Sequence, residues 1–505
     1  MNSLLNGLKN ATNYTYTENG AITHKTTRSD LLDMFAMGGA YRSRSAEDVI
    51  LLFKNAYEEN PVYALKCLFY LRDIRGGQGE RRFFRVAIQW LAKNDPDAVR
   101  RNLENITEYG RYDDLYCLFS TSLKDDVLAF LKKQLALDVQ SKTPSLLAKW
   151  LPSENTSSGA TRAYANIIRK YLNMSHKQYR KTLSILREKI RVVEKLMSAN
   201  RWDEIEFDKL PSKAGIKYKN AFARRDITKA KYERFAKDTT TKVNAKALYP
   251  YEVVAEALKI FRTGHYWNAT LPALDDTNRL MVNKYWDNLA DYFGNASLNA
   301  LAVVDTSGSM VSSEASAPIN VAISLGLYCA EKAKGPFANH YISFASRPQL
   351  IKTEGVDFVD KVYRIYKTNL VDNTNIEATF DLLLNTAIAN HCAQEDLPQN
   401  IVIISDMEFD SARGLGYWHR NTTNNGVETL LEGIANKWAR LGYKMPHIIF
   451  WNCDARQNNI PMIGNGPISY VSGMSPSIFE TIISGKTGYD LMMEKLNSAR
   501  YAQVC

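Results

Sequence analysis

The sequence predicts a two-part fold, an all-helical N-terminal region followed by a doubly wound α/β domain with a mostly parallel sheet. From about residue 28 to 290, apolar residues recur with the 3.6-residue period of helices that are separated by short polar turns. Near residue 298 the pattern changes to short runs rich in Val, Ile and Phe that alternate with helical stretches. We therefore expect an N-terminal arm over residues 1–27, a helical-repeat domain over 28–295 and the α/β domain over 296–505.

In the helical region, start and stop signals bound each predicted helix. Ser45 precedes AEDVILLFKNAYEEN, Pro61 opens the next helix, and the pair Gly76–Gly77 ends it. The turn Asn94–Asp95–Pro96 stops the helix GERRFFRVAIQWLAK, and Gly110 stops AVRRNLENITEY. Helices of this length with short connections predict an array of helical repeats, since each unit must bury its apolar face against its neighbours.

The excess positive charge of the chain lies in one stretch. The protein carries a net charge of +10, with 64 Lys and Arg against 54 Asp and Glu. Residues 151–250 contain 23 Lys and Arg and 10 Asp and Glu, a net charge of +13, so the rest of the chain is slightly acidic. Clustered cations neutralise phosphates, and counterion release makes such contacts the main sequence-independent source of affinity for nucleic acids.

The segment SHKQYRKTLSILREKIRVVEKLMSAN predicts one amphipathic helix in this stretch, with Ser175 as its N-cap and basic side chains opposite an apolar stripe. In the basic run that follows, Tyr218, Phe222, Tyr232 and Phe235 lie among Lys and Arg, and either stacking on unpaired bases or packing in the core explains them. The candidate nucleic-acid-binding residues are Lys177, Arg180, Lys181, Arg187, Arg191, Lys213, Lys217, Lys219, Arg224 and Arg225.

Candidate metal ligands follow two predicted strands of the α/β domain. One strand ends at Asp305 and runs into a turn with Ser307 and Ser309, and the strand IVIISD ends at Asp406. Ligands of open α/β sheets bind at the carboxyl ends of strands. A carboxylate and two hydroxyls on alternate residues of a turn can converge on one point, and such an all-oxygen set suits Mg²⁺. Thr374, just before a predicted helix, would complete this set.

This order of motifs, D-x-S-x-S, T-N-x-x-x-A and a strand-terminal Asp, resembles the von Willebrand factor A (vWA) fold and its metal-ion-dependent adhesion site (MIDAS). The resemblance implies a Mg²⁺ cofactor whose open coordination position takes a carboxylate, either from a partner protein or from the helical domain. It also implies a binding module, not a catalyst. The ligands that it implies, direct or through water, are Asp305, Ser307, Ser309, Thr374 and Asp406.

A second resemblance covers nearly the whole chain. The segments LRDIRGGQGER, EYGRYDDL, KWLPSENTSSGATRAYANIIRKYL and SANRWDEI resemble the TROVE/Ro-type RNA-binding proteins, and more closely a poorly characterised vWA-bearing branch of them. The resemblance implies a ring of HEAT-like helical repeats closed by a vWA domain. It also implies that small structured RNAs bind to a basic outer surface and that single-stranded RNA ends bind in the cavity of the ring.

Composition and motifs argue against several other classes. No apolar run approaches the roughly 18 residues that cross a bilayer, and the N-terminus lacks the pattern of a secretory signal, so we expect a cytoplasmic protein without a membrane partner. The 6 cysteines and 7 histidines are scattered, unlike a disulfide framework or a zinc site. RGGQGERR has neither a preceding strand nor G-K-[ST], which excludes a P-loop and favours a helix–helix turn.

The sequence as a whole predicts a non-catalytic RNA-binding protein of a ribonucleoprotein, with a Mg²⁺ site that holds a partner's carboxylate. The alternative is a protein-interaction scaffold that uses the metal site without nucleic acid. A Mg²⁺-dependent nuclease or phosphatase would use Asp305 and Asp406 as ligands, but the further carboxylates and general base of such enzymes are missing from the motifs.

Overall fold

The computed structural model describes residues 12–245, 247–261, 270–294, 299–311, 317–368, 374–410, 429–463, 467–482 and 485–505. These residues form a helical N-terminal region and a C-terminal six-stranded sheet with intervening helices, which confirms the predicted order of the two architectures. The predicted boundary between 295 and 296 lies outside the described residues, as does the start of the predicted N-terminal arm. No helix within the described ranges is both long and apolar enough to cross a membrane.

The N-terminal region consists of a two-stranded hairpin followed by helices. The hairpin strands are β1 Tyr14–Tyr16 and β2 Ile22–His24. The helices are α1 Asp30–Met37, α2 Ala46–Glu59, α3 Pro61–Arg72, α4 Arg81–Asn94, α5 Pro96–Arg101, α6 Leu103–Tyr109, α7 Lys124–Gln140, α8 Leu147–Trp150, α9 Gly159–Tyr171, α10 His176–Lys189, α11 Val193–Ser198, α12 Ser212–Arg224, α13 Asp226–Lys237, α14 Pro250–Phe261 and α15 Thr277–Asp287.

The C-terminal region alternates strands and helices. Its strands are β3 Ala300–Asp305, β4 His340–Phe344, β5 Leu350–Lys352, β6 Asn400–Ser405, β7 His447–Asn452 and β8 Ile468–Ser472. Its helices are α16 Pro318–Lys332, α17 Phe358–Thr368, α18 Ile376–Ala389, α19 Leu430–Arg440, α20 Phe479–Ile482 and α21 Gly488–Leu496.

Local sequence signals explain several helix ends. The Ser45 side chain accepts the backbone N–H of Asp48 while the Asp48 side chain accepts that of Ser45, a capping box that starts α2. Pro61 occupies the first turn of α3, where a missing N–H costs nothing. RGGQGERR forms the predicted turn between α3 and α4, and Gly79 there has a φ of +67°, a conformation that glycine adopts without strain.

The long basic helix expected from Ser175 onwards is wrong in its second half. Ser175 does cap α10 through a capping box with Gln178, but the helix ends at Lys189. Arg191 then adopts a left-handed φ of +49°, and its N–H donates to the Glu188 carbonyl, so the chain leaves the helix axis before α11 begins. The basic residues beyond Lys189 therefore do not continue the exposed face of α10.

The six-stranded sheet has the order β5-β4-β3-β6-β7-β8, and all of its neighbouring pairs are parallel except β4–β5 at one edge. The direction of strand addition reverses between β3 and β6, which pair in parallel with Val303 opposite Ile403. In a doubly wound sheet, this reversal opens a crevice at the carboxyl ends of the two central strands. Asp305 ends β3 and Ser405 ends β6, so both lie at that crevice.

The two regions share one continuous apolar core. Helix α1 packs against β8, where the Gly39 N–H donates to Ser472 Oγ at 2.9 Å and Ser472 Oγ donates to the Phe35 carbonyl at 3.0 Å. At the C-terminal end of the chain, the Tyr501 hydroxyl donates to Asp73 Oδ2 at 3.0 Å beyond α3. Helices α14 and α15 also pack against α16 and α17. Each region therefore buries apolar surface of the other.

The N-terminal hairpin lies on the α/β region. Strands β1 and β2 pair antiparallel, with Thr15 opposite Thr23. The backbone of His24 exchanges two hydrogen bonds with that of Ile460, and Gly20 forms an isolated antiparallel bridge with Asp410. The hairpin consequently reaches the loop that follows β6.

Candidate functional site

The loop after β3 brings together the first three predicted metal ligands. Asp305 is fully buried, and its Oδ1 accepts the backbone N–H of Ser307 at 2.9 Å. The hydroxyls of Ser307 and Ser309 lie 3.0 Å apart. This turn arises because the extended strand stops at Asp305, whose carboxylate accepts the N–H of the residue two positions further on. One carboxylate and two hydroxyls thus lie within one short turn.

The fourth predicted ligand, Asp406, lies beside them at the end of β6. Its Oδ1 accepts the backbone N–H of Glu408 at 3.2 Å, and its Oδ2 accepts Arg456 Nη2 at 2.8 Å. The preceding residue, Ser405, donates its hydroxyl to Asp305 Oδ2 at 2.5 Å. The loops after β3 and β6 are therefore joined by a direct side-chain hydrogen bond.

Thr374, the fifth predicted ligand, is buried next to the loop after β6. Its hydroxyl lies 3.1 Å from the carbonyl oxygen of Glu408, to which it donates, and it accepts Asn19 Nδ2 at 3.4 Å. The structure thus connects Thr374 to Asp406 through Glu408. It records no direct hydrogen bond between Thr374 and the three ligands of the first loop among the described residues.

Negative charge accumulates at this crevice. Burial, and after it the negative charge of Asp406, raises the pKa of Asp305 well above its usual range. Burial also raises the pKa of the Glu408 carboxyl to about 7, although the N–H of Glu18 donates to it. The guanidinium of Arg456 contacts both Asp406 and Glu18, and within the described ranges it is the one cation that forms an ion pair with this group of four carboxylates. An added cation would relieve the remaining repulsion.

The residues present fit a divalent cation of the Mg²⁺ type. Two carboxylates and three hydroxyls supply hard oxygen ligands, and the Arg456 guanidinium already occupies a place where positive charge is stabilised. Within the described part of the chain, no three His, Cys, Asp or Glu side chains are grouped as in a metal site built only from such residues. The expected set has only two carboxylates and depends on hydroxyls for the rest, so the metal site stays a prediction.

The predicted basic surface divides into exposed and engaged cations. Lys177, Arg180 and Lys181 are exposed on α10, Arg224 is exposed on α12, and none of them forms an ion pair with a described residue. The engaged cations and their contacts are Arg191 with Glu206 at 3.2 Å, Lys213 with Glu252 at 2.9 Å, Lys219 with Glu256 at 2.5 Å, Lys217 over the Tyr218 ring at 4.8 Å and Arg225 over the Trp202 ring at 4.0 Å.

Arg187 lies apart from the exposed cations of α10. It is half-buried, and its guanidinium donates to the carbonyls of Ala148 and Leu151, both at 2.8 Å, and to Ser153 Oγ at 3.0 Å. These bonds attach the short helix α8 and the chain after it to α10. The expectation that Arg187 lies on the solvent face is therefore wrong, because its guanidinium supplies hydrogen bonds to backbone carbonyls in and just after α8.

Of the two alternatives for the aromatic residues of the basic run, base stacking or core packing, the structure favours core packing. Phe222 and Tyr232 are buried, and their ring centroids lie 5.8 Å apart. Phe207 packs against both, at 5.2 Å and 5.0 Å, and against Phe235 at 5.7 Å. Stacking of Phe222 or Tyr232 on bases is excluded because both rings are buried in the core.

Sequence reasoning missed several residues of the crevice. Ser405 directly precedes the predicted ligand Asp406, so its position at the strand end was a usable signal. Asn19 belongs to an Asn-Gly pair that follows Tyr14-Thr15-Tyr16, a strong local sign of a hairpin turn. Glu408 lies only two residues after Asp406 and was within reach of the same signal, whereas Arg456 carries no motif, because only the fold brings the loop after β7 next to β6.

The fold and site define a two-part protein in which a helical region with a basic surface joins a Rossmann-like sheet with an oxygen-rich crevice. A domain of unknown function (DUF2828) matches residues 17–116 and 154–296, and another domain of unknown function (DUF7788) matches residues 299–502. Neither family model carries a vWA name.

Two individual proteins are similar over most of the chain. An uncharacterized protein, L728, of Acanthamoeba polyphaga mimivirus is 29% identical over 520 residues, which cover 94% of this chain and 85% of the relative. The crystal structure of the Deinococcus radiodurans Ro (RSR) protein is distantly similar, with a TM-score of 0.37 and 13% identity, over 91% of this chain and 100% of that one.

Proposed function

We propose that this protein binds RNA, structured or single-stranded, on the basic surface of its helical region and does not catalyse a reaction on it. The observation that carries the proposal is the triplet Lys177, Arg180 and Lys181. These side chains are exposed on α10 and have no ion-pair partner among the described residues. The same proposal includes a vWA-type fold for the sheet region, a HEAT-like ring for the helical region and a cytoplasmic location.

The spacing of the triplet supports a polyanionic ligand. Residues three and four apart share one face of a helix, so the three positive charges lie within about one turn. Like charges at this spacing repel and destabilise the helix slightly, and a bound polyanion reverses that cost. The net charge of +13 over residues 151–250 extends the positive electrostatic potential beyond the triplet.

Salt dependence tests this assignment directly. The triple variant Lys177→Glu, Arg180→Glu, Lys181→Glu should bind RNA more weakly and show a smaller slope of log K against log salt, lower by about 2–3. The matched control reverses three exposed cations elsewhere, Lys93→Glu, Lys132→Glu and Arg440→Glu, and makes the same change in net charge. Equal weakening in both variants would contradict a site on α10.

We further propose that Asp305, Ser307, Ser309, Thr374 and Asp406 hold Mg²⁺. When bound, the ion would supply a Lewis-acidic position that a partner's carboxylate can occupy. The hydroxyls of Ser307 and Ser309 would orient toward it, and Ser405 would keep Asp305 in place. Asp305→Ala should abolish the heat of Mg²⁺ binding in calorimetry, and an unchanged titration would remove Asp305 from the ligand set.

A protein-interaction scaffold without nucleic acid is the second candidate. Six of the ten predicted RNA-binding cations are held by the chain's own carboxylates, rings or carbonyls, which lowers the positive charge available to a ligand. A protein partner that is retained with Mg²⁺ and lost with a chelator, from protein that carries no RNA, would favour this function.

The absence of catalysis is part of the proposal and has its own test. As ligands of the proposed ion, Asp305 and Asp406 would be committed to metal binding and not to proton transfer. Incubation with RNA and Mg²⁺ should leave the RNA intact. Cleavage that Asp305→Ala abolishes would instead establish a nuclease.

A further inference from the structure

The chain's own segment Thr17–Gly20, between β1 and β2, lies across the rim of the candidate metal site. Thr17 Oγ1 donates to the Phe409 carbonyl at 2.6 Å, and Asn19 Nδ2 donates to the Glu408 carbonyl at the same distance. Two consecutive carbonyls of the loop after β6 are thus bound by alternate side chains of the segment. Thr17 Oγ1 also accepts the Ala21 N–H at 2.9 Å, so the same hydroxyl closes the hairpin turn and binds the loop after β6.

A buried carboxylate and a bridging guanidinium hold the middle of the segment. The Glu18 N–H donates to Glu408 Oε2 at 2.7 Å, and Asn459 Nδ2 holds the other oxygen of Glu408 at 2.7 Å. The Glu18 side chain accepts Arg456 Nη1 at 2.8 Å, while Nη2 of the same guanidinium contacts Asp406 Oδ2 at 2.8 Å. Docking of Glu18 therefore positions Arg456 on a predicted metal ligand.

These contacts use groups that a metal ion would need. Arg456 occupies Asp406 Oδ2 and brings a positive charge to a site meant for a cation. Asn19 Nδ2 lies 3.4 Å from Thr374 Oγ1, on the oxygen that would face the ion. A docked segment and a bound ion thus compete for lone pairs of Asp406 and Thr374.

We propose that Thr17–Gly20 is a built-in cover of this site, and that its docking and the binding of a divalent cation oppose each other. The inference rests on the proposed metal site and describes its regulation. The surface that the segment vacates, around Glu408 and Arg456, fits an extended peptide with a carboxylate followed by an amide side chain, the chemistry of Glu18 and Asn19. A partner segment of that kind gains access only after the cover has left.

The test uses charge-neutral substitutions in the full chain, so that any change in metal affinity comes from docking. Thr17→Val with Asn19→Ala removes both side-chain bonds to the loop after β6, together with the bond from the Ala21 N–H to Thr17 Oγ1, and alters no charge. Tyr16→Ser is the matched control, because Tyr16 precedes the same segment and is 64% exposed. Amide hydrogen exchange over residues 14–24 reports docking, and calorimetric titration with Mg²⁺ alone reports affinity.

The double variant should exchange faster over residues 14–24 and bind Mg²⁺ about fivefold or more tightly than wild type, whereas Tyr16→Ser should match wild type. Because coupling is reciprocal, Mg²⁺ should also speed exchange of this segment in wild type. Faster exchange with unchanged or weaker Mg²⁺ affinity would overturn the cover while leaving the metal site intact. Absence of Mg²⁺ binding in all three proteins would overturn both the metal site and the opposition inferred from it.

Discussion

At the scale of single residues, hydrogen-bond partners separate two arginines that the sequence places on one helix. Arg180 is exposed without an ion pair among the described residues, whereas Arg187 donates to two backbone carbonyls and one hydroxyl. Burial lowers the pKa of Arg187. Arg180 is therefore available to bind a ligand, whereas Arg187 stabilises the fold.

Arg187→Ala should therefore lower the free energy of unfolding by about 2–3 kcal/mol, because it leaves buried carbonyls without donors. Arg180→Ala should change it by less than about 0.5 kcal/mol, as exposed substitutions usually do. Urea denaturation of both variants measures the difference. Equal stabilities would show that the bonds of Arg187 to the chain after α8 contribute nothing.

His447 gives a prediction of pH dependence. Burial lowers its pKa from the ordinary 6.5 to about 4, where its ring nitrogens contact Asn400 and Ser469. Since the folded state resists protonation, this contribution to stability is complete above pH 6.5 and is lost as the pH falls through 4. The loss should reach at most about 3 kcal/mol.

Thermal unfolding between pH 7 and pH 4 measures that loss. His447→Gln cannot gain charge, so its stability should fall less steeply over the same interval than that of wild type. Parallel profiles for the two proteins would mean that other groups account for the acid sensitivity.

Single residues of the candidate site were predictable when a motif marked them. Asp305, Ser307, Ser309 and Asp406 follow strands whose apolar runs are evident in the sequence, and the structure brings these four to one crevice. Arg456 was not predictable, since its contact with Asp406 depends on the path of the chain after β7.

At the scale of elements, the approach of α16 to β3 sets the position of the crevice. Gly326 lies where an added Cβ would come within 2.3 Å of Val304 Cγ2, next to Asp305. Any larger residue must push the helix away from the strand or distort it. The missing side chain of Gly326 therefore helps to hold Asp305 in place.

Gly326→Ala should destabilise the protein by about 1–3 kcal/mol through overpacking. Gly159→Ala is the matched control: nothing lies within 4 Å of its added Cβ, and it begins α9. That change should be neutral or slightly stabilising, because Ala restricts the unfolded chain. Denaturation midpoints compare the two, and equal midpoints would contradict tight packing of α16 on β3.

The four inner strands of the sheet were predicted correctly, and the two edge strands were missed. The runs ALAVVD, HYISFA, NIVIISD and PHIIFWNC predict strands, and the structure forms β3, β4, β6 and β7 there. The edge strands β5 and β8, with three and five residues, have no comparable signal, since pairing with the neighbouring strand defines them. The break between α10 and α11 was missed because the apolar spacing continues across a left-handed Arg191.

At the scale of the whole molecule, the C-terminal end joins the sheet region to the helical region. The Tyr501 side chain is fully buried between Tyr70 and Tyr109, at centroid distances of 6.1 and 5.5 Å, and its hydroxyl donates to Asp73. Arg500 pairs with the same carboxylate. The two regions should consequently unfold together.

Tyr501→Ala should lower the free energy of unfolding by about 3–5 kcal/mol, as expected for loss of a buried aromatic ring. Tyr489→Ala removes a 42% exposed ring in the neighbouring α21 and should cost much less. Calorimetry of wild type should show a single transition. Two separate transitions in wild type would contradict cooperative unfolding of the regions.

The central claim is that the helical region binds RNA, and the most direct measurement is the ratio of absorbance at 260 and 280 nm of the purified protein. The ratio is compared before and after ribonuclease treatment and a high-salt wash, for wild type and for the Lys177, Arg180 and Lys181 reversal. We predict a high ratio in wild type that falls on treatment, and a low ratio in the variant from the start. A protein-like ratio for wild type at low salt would contradict RNA binding and favour the scaffold.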